Sequence, residues 1–229
     1  RKDWAIYTSI LDKVLDSISE SEKAQILSRW INFEQGNVKT VKRPELTEDE
    51  KAFISKHPEI RFAFDPEFFP FEFRDKNEQY SGMVSDYIAI LNERLGLNMD
   101  VVHGLSWKEA VAGVQKGNID VLPCIGKTAE RETFLNFSKS YISFQRVVIA
   151  RSDFPFIGSL DELKKVTVAV QENSSHAGFI REKTNIIAKH FPTLQAALHA
   201  VSSGKADVFI GNLASSTYWI RRHNLTNLK

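Results

Sequence analysis

Apolar residues recur every three or four positions over residues 4–33: Trp4, Ile6, Tyr7, Ile10, Leu11, Val14, Leu15 and Ile18 form one helical stripe. Ser19 and Glu22 then make a capping box, in which hydroxyl and carboxylate satisfy each other's backbone N–H groups. It opens a second helix through Ile26, Leu27 and Trp30, with a stop expected at Gly36 and Asn37. Residues 36–46 (GNVKTVKRPEL) have no period and read as a linker. Thr47 and Glu50 box the start of a short helix that runs to His57-Pro58.

Beyond Pro58 the period changes. Ile60-Arg-Phe-Ala-Phe64 alternates as a strand, broken by Asp65-Pro66. Residues 83–95 predict an amphipathic helix stopped at Gly96, and 99–102 a strand. Ser106 and Glu109 box a helix ending at Gly117, followed by a strand over 119–123. The alternation continues with a strand at 147–150, a capping box at Ser159 and Glu162, and a strand at 166–170. Helices at 175–183 and 193–203, a strand at 208–210 and a helix at 212–222 complete it. Strands that alternate with helices predict α/β architecture with mainly parallel sheets. The pattern runs twice, on either side of residues 141–151, and both halves carry helix–Gly–x–x–Asp–strand: Gly117-Asn-Ile-Asp120 and Gly204-Lys-Ala-Asp207. Two similar lobes joined by a short connection imply a cleft, where small ligands bind.

Composition narrows the partners. Thirty basic and 29 acidic residues leave a net charge of +1, so no strong field points to nucleic acid or an anionic membrane. Cys124 is the only cysteine, which excludes an intrachain disulfide and a cysteine-built zinc cluster. The six histidines are scattered, and G-x-S-x-G, P-loop and H-E-x-x-H patterns are absent. Asp65 and Glu72 read by default as solvated turn residues rather than catalytic acids. No cofactor, metal or catalytic residue is therefore expected. No apolar run approaches the roughly 18 residues needed to span a bilayer. The chain opens Arg1-Lys2-Asp3-Trp4, and both its ends read as cuts through a longer protein.

Five motifs in order give residues 45–229 a resemblance to the bacterial family 3 extracellular solute-binding proteins. The first is Ile60-Arg-Phe-Ala-Phe-Asp65 with Phe68-Phe-Pro-Phe-Glu-Phe73. Ser81-Gly82-Met-Val-Ser-Asp86 comes next, then Gly117-Asn-Ile-Asp120 through Gly126-Lys-Thr128-Ala-Glu-Arg131. Phe137-Ser-Lys-Ser-Tyr141, with Ser140 where the family usually has proline, leads into a hinge strand at 145–151. Last comes Val168-Ala-Val-Gln-Glu-Asn-Ser174-Ser175-His176, with Asn173 in place of a glycine. The resemblance implies a two-lobed flytrap fold, each lobe a mainly parallel sheet flanked by helices. It implies that Phe68 stacks on a ligand near Asp65 and that Arg131 holds its carboxylate, with Gly126 and Thr128 lining the same wall. It also implies that Ser174 and Ser175 open an anion-binding helix start. Asp86 is expected to pack or cap rather than touch ligand. Asn212 stands where amino-acid binders usually carry an acid for the ammonium. A neutral or anionic carboxylate is thus as consistent as an amino acid, and a copy that binds nothing is a third possibility.

The likeness is greatest to the tandem copies at the front of sensor histidine kinases. Residues 1–35 resemble the closing helices of a preceding flytrap domain and are expected to dock on the first lobe, in cis or by exchange in a homodimer. With 36–46 as linker, 47–145 would be lobe one and 146–229 an incomplete lobe two. The implied role is a non-enzymatic sensor on the periplasmic side of an inner-membrane protein, with the binding component of an amino-acid transporter as the alternative.

Overall fold

The computed structural model describes residues 2–31 and 43–229. The stop expected at Gly36 and Asn37, and most of the 36–46 linker, lie outside them. The chain forms two compact units. Arg1–Ile125 with Arg131–Ile142 make the first, and Gly126–Glu130 with Ser143–Lys229 the second.

In the first unit, α1 (Ala5–Ser17) and α2 (Glu20–Ile31) precede α3 (Glu48–Lys56). The capping box at Thr47 is present: its side chain accepts the Glu50 N–H and the Glu50 carboxylate accepts the Thr47 N–H. Strand β1 (Glu59–Phe62) pairs in parallel with β5 (Asn98–Val101). Between them lie β2 (Glu67–Phe68), β3 (Glu72–Arg74) and β4 (Tyr80–Ser81), an antiparallel meander, and α4 (Met83–Leu95). Helix α4 ends at Gly96 in the left-handed conformation, as its sequence predicts. Helix α5 (Trp107–Gln115) follows, and of the short helix α6 (Ala129–Glu132) the residues Arg131 and Glu132 belong to this unit. The strand expected at 119–123 is reduced to one bridge, Val121 to Phe62. Pro123 has no N–H to extend a ladder.

Helices α1 and α2 are an integral layer of this unit, as the docking expectation required. Ile10 and Val14 are fully buried. The Trp4 ring stands edge-on to Phe53 of α3, 5.2 Å between centroids. Ser9 and Lys13 donate to the Glu50 carboxylate at 2.8 and 2.6 Å. Burial alone would raise the Glu50 pKa, but the bonds from Lys13, Thr47 and Ser9 prevail and hold it at about 2. From α2, Arg29 and Trp30 donate to Asp86 of α4 at 2.5 and 2.8 Å, and buried Arg94 donates to Ser17 and Glu22.

The second unit holds a four-stranded sheet in the order β6-β9-β7-β8: β6 (Arg146–Ala150), β9 (Val208–Asn212), β7 (Val168–Gln171) and β8 (Lys189–Phe191). Strands β7, β8 and β9 are parallel, and β6 runs antiparallel along β9. One sheet face packs Ile149, Ala169 and Phe209 against α8 (Leu194–Ser202) and α9 (Leu213–Arg222). The other packs Ala150, Val168, Val170, Val208 and Ile210 against α7 (Ser175–Lys183). The capping box expected at Ser159 and Glu162 does not form an α-helix start. Ser159 does donate to Glu162, but the segment is a 3-10 turn over Glu162–Lys165 with no side-chain cap.

Candidate functional site

The expected ligand residues divide between the two units, and each group is built locally. In the first unit, Asp65 is buried rather than solvated and shapes the turn after β1: its carboxylate accepts the Glu67 N–H at 3.0 Å. Its own N–H donates to Glu72 Oε1 at 3.0 Å. Phe68 lies in β2, half-buried, with its ring 4.9 Å from that of Phe71. Arg131 belongs to α6, and its residue is only 5% exposed. Its guanidinium lies 5.7 Å from the Trp107 ring centroid, a cation–π contact that orients the fork. The Arg131 carbonyl accepts the N–H groups of Phe134 and Leu135, which fixes the backbone beneath it.

Glu72 corrects the expectation of a solvated turn residue. It is fully buried in β3, and its Oε2 has no hydrogen-bond partner. Burial pushes its pKa well above the usual range; the Asp65 N–H opposes this and the Asp65 charge adds to it. The β2–β3–β4 meander turns this side chain inward, and that pairing is not a local property of the sequence.

In the second unit, the residues gather at the carboxyl ends of β7 and β9, where open α/β sheets bind ligands. After β7 the chain turns at Asn173, whose φ of 56° shows that asparagine takes the conformation a glycine would. Ser174 is the N-cap of α7 and accepts the Ala177 N–H at 3.1 Å. Ser175 is the first residue of the helix, at the positive end of its dipole. Gly126 and Thr128 belong to this unit. A Cβ on Gly178 would meet the Thr128 methyl at 2.8 Å, so this glycine admits Thr128 against α7. Asn212 ends β9 and caps α9: its Oδ1 accepts the Ser215 N–H at 3.1 Å, while its carbonyl accepts the Ser216 hydroxyl at 2.5 Å. Asn212 is 1% exposed and its Nδ2 has no partner.

Strand register adds residues that sequence alone left unmarked. Arg146 stands directly opposite Asn212 in the antiparallel ladder. Its Nε donates to His176 Nδ1 at 3.1 Å, and its guanidinium stacks 3.9 Å from the Phe179 centroid. The sequence signal, a charge at the start of an apolar strand, had no meaning until the pairing partner was known. Among the described residues, no group of three or more His, Cys, Asp or Glu side chains could hold a metal ion. No helix among them is long and apolar enough to cross a membrane.

A model of the bacterial extracellular solute-binding proteins, family 3, matches residues 60–201. The Virulence sensor protein BvgS of Bordetella bronchiseptica is 24% identical over 226 residues, 97% of this chain and 18% of its own length. The Sensor protein EvgS of Escherichia coli O157:H7 is 23% identical over 229 residues, 96% of this chain and 18% of its own length. The chain therefore spans about a fifth of these sensors. Among solved structures, the periplasmic VFT2 domain of Bordetella pertussis BvgS superposes with a TM-score of 0.70 at 24% identity, covering 82% of this chain and 80% of that one. The flytrap fold is thereby shown, with its mixed sheets and flanking helices.

Proposed function

Because the chain belongs to the bacterial extracellular solute-binding proteins, family 3, we propose that it is a non-enzymatic ligand-sensing domain on the extracytoplasmic side of a transmembrane signalling protein. It takes a small carboxylate or an amino-acid-like solute, held by Arg131 from the first unit and by the α7 start from the second. Closure of the two units around the solute is the signal. The observation that carries the reading is Arg131, a guanidinium on an almost fully buried residue and oriented by Trp107. Arginine suits the task because its planar fork matches a carboxylate with two parallel hydrogen bonds. In this reading Asp65 and Phe68 complete the wall on the first unit, Gly126 and Thr128 line the second, and Asn212 sits where an ammonium would otherwise be anchored.

A sensor is favoured over a transporter's binding component by the N-terminal helices. The sensor relatives match 97% and 96% of the chain, well beyond the residues 60–201 that the family model matches. Helices α1 and α2 are locked to the first unit through Glu50, Asp86 and Arg94, so a preceding domain would move with it. The test is a thermal-shift panel of amino acids and small mono- and dicarboxylates on the chain. A true ligand at 100 times its dissociation constant stabilises by about 2.7 kcal/mol. A panel that produces no saturable shift overturns the reading.

A further inference from the structure

The second unit holds a cation that the carboxylate clamp does not use. In an antiparallel pair, directly opposite side chains share a face, so Arg146 and Asn212 lie on the sheet face covered by α7. Arg146 is held in place twice over. Its Nε is spent on His176 Nδ1 at 3.1 Å, and the guanidinium carbon lies over the Phe179 ring, 3.9 Å from its centroid. His176 and Phe179 both belong to the first turns of α7, so the guanidinium is fixed beside the positive end of that helix. Its Nη nitrogens have no partner among the described residues, and no carboxylate there pairs with it. A second feature of the same place points to a ligand: the Asn212 Nδ2 donor is buried and unbonded.

These groups share one preference. A fixed guanidinium, a helix N-terminus and an unsatisfied amide N–H all donate, and all favour negative charge. An ammonium brought to Asn212 would face the Arg146 cation with no carboxylate to offset it. We propose that Arg146, with Asn212, reads a second acidic group on the ligand, so that the solute is a small dicarboxylate rather than an α-amino acid. The inference rests on the solute-binding reading above, with the ligand's first carboxylate on Arg131. His176 and Phe179 are positioning residues: they aim Arg146 and touch no ligand.

The test is calorimetric titration of the full chain with succinate, glutarate, butyrate, glutamine and glutamate. Glutarate or succinate should bind roughly tenfold or more tightly than butyrate or glutamine, since a desolvated charge pair is gained. Arg146→Gln should remove that advantage while leaving butyrate affinity unchanged, with circular dichroism confirming that the variant is folded. Phe179→Leu, which frees the guanidinium, should lose part of it. Asn212→Asp keeps an N-cap residue and places a carboxylate beside Arg146. It should weaken dicarboxylate binding and raise affinity for glutamine. A wild-type preference for glutamine over glutarate, or an Arg146→Gln variant that still binds dicarboxylate within about twofold, overturns the inference and leaves the solute-binding reading standing. If no acid or amino acid binds at all, that reading fails and the inference with it.

Discussion

The two units contain the same short device and use it differently. In each, a helix ends on a left-handed glycine, Gly117 or Gly204, both at φ 76°. The chain then presents an aspartate to the neighbouring strand. In the first unit, the Asp120 and Val121 N–H groups donate to the Arg61 carbonyl and the Asp120 carboxylate accepts the Arg61 N–H at 3.0 Å. In the second, the Asp207 and Val208 N–H groups donate to the Thr167 carbonyl and the Asp207 carboxylate accepts the Thr167 N–H at 2.7 Å. The aspartate thus sets the register at which one strand enters beside another. The residues after each aspartate make the difference. After Asp120 the pairing is one bridge at Val121, and Pro123 stops it. After Asp207 a full strand runs on to Asn212, delivering that residue opposite Arg146. The same local turn ends in a short wall in one unit and a polar corner in the other.

The aspartates also differ in their partners. Asp120 additionally accepts from Arg61 Nε at 2.9 Å and Nη2 at 3.0 Å. Asp120→Ala should therefore cost most, roughly 3 kcal/mol, because it removes a buried charged acceptor of three N–H groups. Asp207→Ala should cost less, roughly 1.5 kcal/mol, for one charge-assisted bond. Chemical denaturation measures both. In an Arg61→Met background the two costs should converge, since the surplus comes from the guanidinium. Equal costs in the wild-type background would break the comparison. Gly117→Ala and Gly204→Ala should have the smallest effects, roughly 1 kcal/mol each, set by the left-handed backbone alone. The space around them supports this: a Cβ on Gly117 meets nothing within 4 Å, and one on Gly204 only Arg151 Nη1 at 3.9 Å.

Local chemistry was legible in the sequence. The capping boxes at Thr47 and Ser106, the stop at Gly96 and the span of α7 all arise from groups within four residues of one another. Motif order was legible too, which is why the family and fold could be read. Pairing between distant strands was not. The 119–123 stretch is as apolar as the other strands, yet finds only one bridge, because Pro123 cuts the ladder short. The 159–162 pattern has the right letters for a capping box, but its helix is a 3-10 turn of one round. Glu72 looked like a turn residue until the meander buried it. Arg146 lay in plain sight at the start of an apolar strand. Its meaning depended on the antiparallel register with β9 and on α7 lying over that face, neither of which is a local property.

The claim on which the account turns is that Arg131 clamps a carboxylate, and the most direct test is Arg131→Lys. This substitution keeps the charge and the apolar stem but removes the planar fork. Calorimetric titration of the best acid from the panel should give a saturable one-to-one isotherm for the wild type. The variant should bind roughly tenfold or more weakly with its unfolding midpoint unchanged. Equal affinity in the two proteins would contradict the account.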